Sequence, residues 1–139
     1  MTTNFARRLF LVAGTYGLAV LLPMFFLEDK IGEYDPPAIA HPEFYYGFVC
    51  VAVAWQIVYL MMWRDSHRFW PMLIPAIVGK AGFAISVLVL YAKGRLAAQN
   101  LVLPSIDLVL AVLFVWGYVA LGRLPPLTVS QDKVAPAGL

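Results

Sequence analysis

The sequence predicts an all-α integral membrane protein, a four-helix bundle with both termini on the cytoplasmic side. Three observations predict it. The 139 residues are 62% hydrophobic and 13% charged, and a soluble domain carries roughly twice that share of charge. Four apolar runs are each long enough to cross a hydrocarbon core of about 30 Å, and mean hydropathy is +0.79. The basic residues are also sorted. Arg7, Arg8, Arg64, Arg68, Arg123 and Lys133 fall on one side, and Lys30, Lys93 and Arg95 on the other. The richer side should face the cytoplasm.

The first helix is expected over 8–27. Ala13 and Gly17 form a small-xxx-small pair that allows close helix contact, and Pro23 sits where it can kink the last turn. Arg7 and Arg8 before an apolar run imitate a signal peptide. The run is too long for one, and the small-x-small site at Ala38 and Ala40 lies beyond an acidic segment, so the segment is expected to be retained. Residues 28–42 carry four acids against one lysine. Pro36, Pro37 and Pro42 forbid a regular helix through this stretch. It is the longest internal loop and the one able to cover a site.

The second helix, 43–63, places Tyr45, Val49, Ala52, Gln56, Tyr59 and Trp63 on one stripe at helical spacing. Gly47, Cys50 and Ala54 make a second, small-residue face. A basic turn, 64–69, leads to the third helix, 70–92, with Pro71 in its first turn, where proline is welcome. Gly79, Gly82 and Ser86 line one side of it, with Lys80 at the edge. The fourth helix, 103–121, places Asp107, Ala111, Phe114 and Tyr118 on one face. Residues 123–139 contain Pro125, Pro126 and Pro136 without an apolar period, and a disordered cytoplasmic tail is expected.

Lys80 is the informative residue. A charge near mid-bilayer costs at least a few kcal/mol unless it is paired or reaches water. A rise of about 1.5 Å per residue puts Lys80 roughly 15 Å from the inner end of its helix. Asp107 then lies roughly 6 Å below the outer surface of the next helix, and Gln56 about 20 Å from the outer end of helix two. Helices three and four are joined by a short turn and should be antiparallel neighbours. The lysine stem can climb toward Asp107, while Gln56 can accept from below. Three readings follow. The pair is structural, fixing helix register, or Lys80, Asp107 and Gln56 line a polar pocket opening outward, with Tyr16, Tyr45 or Tyr59 on its wall. The third is a proton or ion relay, which needs more than one titratable step across the membrane and finds only Tyr59 and Gln56 below Lys80.

Other chemistry is thinly represented. A single cysteine, Cys50, excludes an intrachain disulfide or a CxxC redox pair and reads as a packing residue. His41 and His67 fall a membrane apart and cannot share a haem or a metal. His41 with Asp35 and Glu43 offers at most a weak cation site. Trp55 and Trp116 are expected to face lipid or to pack. No cofactor is expected. A formal charge of +2 gives no reason to expect nucleic acid.

An outer loop after helix one, the Arg64-Asp65 turn, Lys80 in helix three and Asp107 opening helix four resemble small bacterial four-helix membrane proteins of the DoxX-like sort, over residues 8–121. The resemblance implies a four-helix bundle in a bacterial inner membrane and assigns no activity. Small multidrug transporters carry a central glutamate in helix one, and here there is none before Glu28. Sterol-isomerase-like four-helix proteins carry several intramembrane acids, and here there is one.

The leading expectation is a non-enzymatic accessory subunit of a membrane complex, or a homo-oligomer, with the bilayer and other subunits as partners. The alternative is a binder or carrier of a small lipophilic or anionic ligand held by Lys80, Asp107, Gln56, Tyr59 and Tyr16. The third is a membrane enzyme using Lys80 or Asp107 as acid–base.

Overall fold

A computed structural model describes residues 3–122, which are all-helical apart from turns and short connections. Five α-helices follow in order: α1 Thr3–Met24, α2 Glu28–Tyr34, α3 Pro42–Arg64, α4 Leu73–Ala92 and α5 Val102–Gly122. Single 3₁₀ turns at Trp70–Met72 and Ala98–Leu101 lead into α4 and α5. Four helical segments, Asn4–Met24, Pro42–Arg64, Trp70–Ala92 and Ala98–Gly122, are long and apolar enough to cross a membrane.

The short helix α2 lies inside the stretch expected to be a loop. The prolines limit where a helix can run and do not forbid one upstream of them. Glu28 and Asp29 occupy its first turn, where acids complement the exposed amide dipoles, and it stops before Pro36. The expected inner tail, 123–139, lies outside the described residues.

The long helices form two antiparallel hairpins. In the first, α1 packs along α3 through the small positions of α1. A Cβ on Gly14 would meet Leu60, and one on Gly17 would overlap the Gln56 side chain. Each end of this hairpin is tied by a side chain to a helix-terminal carbonyl, a group without an intrahelical partner. Arg7 Nε donates to the Trp63 carbonyl at 3.0 Å, and Tyr45 Oη donates to the Met24 carbonyl at 2.7 Å. In the second hairpin α4 packs along α5. Gly94, at φ 68°, ends α4 in the left-handed conformation that glycine adopts without a Cβ penalty.

The hairpins meet mainly at the end that carries residues 3 and 122. Phe10, Met62, Leu73 and Phe114 are each 0% exposed there. Phe114 receives Phe10 and Tyr59 edge-on, at centroid distances of 5.8 and 5.1 Å. The stripe on α3 turns inward at Val49, Gln56 and Tyr59, and the α5 face does so at Ala111 and Phe114. The outer surface is apolar instead, with Val12, Val78 and Val112 more than 60% exposed.

Candidate functional site

Away from the aromatic plug the hairpins separate around a cavity of about 410 Å³. That volume lies within the usual range for small-molecule pockets, roughly 300–1,000 Å³. The space follows from the residues that meet there. Ala13 and Gly17 of α1, Ala52 of α3 and Ala76 and Gly79 of α4 all border it, and none has a side chain long enough to fill the gap. No atom would touch a Cβ on Gly79 within 4 Å.

Lys80 and Asp107 are the charged residues on this wall. Lys80 Nζ donates to Asp107 Oδ1 at 2.6 Å. The side chains are 12% and 26% exposed, so the ion pair is largely out of water, and mutual neutralisation is what makes that burial tolerable. The ammonium also lies 5.8 Å from the centroid of the Tyr59 ring, within cation–π range. Tyr59 is held in turn by its edge contact with Phe114.

Tyr16, Gln56, Tyr59, Lys80 and Asp107 all border the one cavity. Gln56 differs from expectation in its partner. It does not accept from Lys80. Its Nε2 donates to the Ala52 carbonyl one turn back, at 2.9 Å, and its amide occupies the room left by Gly17. Tyr45 is not on the wall, because its hydroxyl is committed to Met24. The weak cation site drawn from His41, Asp35 and Glu43 does not assemble. His41 Nδ1 lies 3.2 Å from Glu43 Oε1, whereas Asp35 Oδ2 accepts from Asn100 Nδ2 at 2.9 Å. Among the described residues no group of three His, Cys, Asp or Glu side chains is placed to hold a metal.

Three aromatic wall residues were not singled out from the sequence as site residues. Trp55 borders the cavity, as do Phe48 and Phe83, whose rings stack across the two hairpins at 6.1 Å. Phe48 sits one position off the buried stripe of α3. Nothing in the helical period marks it as a wall residue, because the wall forms between hairpins. Tyr16, Phe48 and Val51 remain 38%, 49% and 60% exposed, so the cavity is open along this rim.

The Asp35–Asn100 hydrogen bond joins the segment after α2 to the 3₁₀ turn before α5. It links the connections of the two hairpins at the end opposite the plug. No family model, no curated protein and no solved structure matches the chain. The functional reading therefore rests on the site itself.

Proposed function

We propose that the protein lies in a bacterial inner membrane with both ends cytoplasmic and binds or carries a small, largely apolar ligand in the cavity around Lys80. The observation that carries this reading is a cavity of about 410 Å³, apolar on most of its wall, with one ion pair at its edge. A mostly apolar pocket with a few convergent polar groups is the usual form of a small-molecule site. The many exposed apolar residues on the four long helices support the membrane setting, since large exposed apolar patches are rare in water-soluble monomers.

The test is the lipid content of the purified protein, extracted and identified by mass spectrometry for the wild type and for Gly79→Phe. Gly79 borders the cavity, and an added Cβ there meets nothing within 4 Å, so the position has room for a larger side chain. The wild type should retain a defined small molecule at near-stoichiometric ratio, and Gly79→Phe should lose it while keeping its helical content. Equal retention by both would refute a ligand site here.

A second reading, an accessory subunit or a homo-oligomer, is favoured by one observation. Gly47 and Gly82 have nothing within 4 Å of an added Cβ, so these small-residue positions remain open to another helix. Cross-linking in the native membrane separates the two readings: a discrete oligomer or a captured subunit, abolished by Gly82→Ile, would favour association.

A further inference from the structure

We propose that the cavity selects a ligand whose head group is neutral and accepts hydrogen bonds, a ketone, ester carbonyl or hydroxyl on an apolar chain, and turns anions away. This rests on the ligand-binding reading above and decides between the two ligand classes that a buried lysine suggests.

The charge balance of the wall is the first ground. Lys80 and Asp107 are its charged members, and they sum to zero. An anion next to Lys80 faces two outcomes. Either it joins the pair and leaves a net negative charge in a low-dielectric site, or it displaces Asp107, whose side chain is only 26% exposed, and strands that carboxylate. Both carry the cost of an uncompensated buried charge. A neutral head group meets neither.

Donor and acceptor counts are the second ground. An ammonium has three N–H donors. Among the described residues Asp107 is the one hydrogen-bond acceptor for Lys80, and the Tyr59 face attracts the charge without supplying a lone pair. Two donors therefore remain for a carbonyl or hydroxyl oxygen. Asp107 spends Oδ1 on Lys80, so Oδ2 is available to accept from a ligand hydroxyl. The remaining wall suits an apolar chain, with Trp55, Phe48 and Phe83 along it.

The test uses two photoactivatable diazirine probes of equal chain length, one a methyl ketone and one a carboxylate. Each is added to the purified full chain in detergent at alkaline pH, where the carboxylate is ionised. Labelling of peptides bearing Trp55 and Phe83 is measured against labelling at outward-facing Val109 and Val112. The ketone should label the cavity peptides at least tenfold more than the carboxylate. In Asp107→Asn, which leaves the lysine charge unmatched, the preference should move at least tenfold toward the carboxylate, a shift that a purely structural ion pair would not produce. In the double variant Lys80→Met/Asp107→Leu, which keeps the wall neutral without the donors, cavity labelling by the ketone should fall severalfold while the carboxylate stays excluded. Equal or stronger wild-type labelling by the carboxylate would overturn the head-group assignment and leave the cavity reading standing. Labelling of lipid-facing residues alone by both probes would overturn both.

Discussion

Lys80 is tolerated because Asp107 is 2.6 Å away, and the consequences are asymmetric. Removing one partner leaves the other charge with nothing to balance it, which costs about 3–5 kcal/mol for a fully buried pair. The cost should be smaller here, because a quarter of the Asp107 side chain is open. Lys80→Met should therefore destabilise the protein by about 2–4 kcal/mol, whereas Lys80→Met/Asp107→Leu should be nearly neutral. Unfolding in mixed micelles measures both, and equal losses would argue against a buried pair. Tyr45→Phe removes the hydroxyl from the Met24 carbonyl and should cost about 0.5–1.5 kcal/mol in the same assay. The ion pair was legible in the sequence because helical rise fixes depth, and a short turn makes the two helices neighbours. The partner of Gln56 was not. Depth alone placed its amide below Lys80, but the side chain is flexible, and Gly17 offers it a space on α1 that no spacing rule within α3 reveals.

At the scale of the helix, small residues that look alike in sequence behave differently. Ala13 and Gly17 are used inside the molecule, since α1 packs on α3 there, whereas Gly82 has no neighbour. Gly17→Ala must displace the Gln56 amide and its bond to Ala52, which should cost about 1–3 kcal/mol. The loss should be largely recovered in Gly17→Ala/Gln56→Ala. Gly82→Ala should cost nothing and gain up to about 1 kcal/mol from helix propensity. Thermal unfolding of the three variants in detergent checks the order. The existence of the four long helices was legible because apolar length defines them, but their ends were less so: the helix expected over 8–27 runs Thr3–Met24, since helical structure continues past the charged Arg7 and Arg8. Helix α2 was missed because Pro36, Pro37 and Pro42 dominated the reading of a stretch whose first seven residues contain none. Asn100→Ala breaks the hydrogen bond that ties the segment after α2 to the second hairpin. It should raise hydrogen exchange in Glu28–Tyr34 severalfold with little change in global stability, since an exposed hydrogen bond contributes little net free energy.

At the scale of the molecule, the two hairpins close against each other at one end, through Phe10, Met62, Leu73 and Phe114, are joined at the other by the Asp35–Asn100 hydrogen bond, and part around a cavity between. The sequence pointed to which residues face inward. It did not reveal that inward-facing alanines and glycines from both hairpins leave a space between them, because a cavity is defined by what fails to meet across an interface. That space, with the neutral Lys80–Asp107 pair on its wall, is the centre of the functional account. The most direct test is a crystal structure, grown in a lipidic mesophase, of protein purified gently from its own membrane. Elongated density is expected between the α1–α3 and α4–α5 hairpins, with its polar end within hydrogen-bonding distance of Lys80 Nζ and its apolar body against Trp55 and Phe83. Hairpins closed on each other along their whole length, with α3 side chains packed on Gly79 and no density between them, would contradict it.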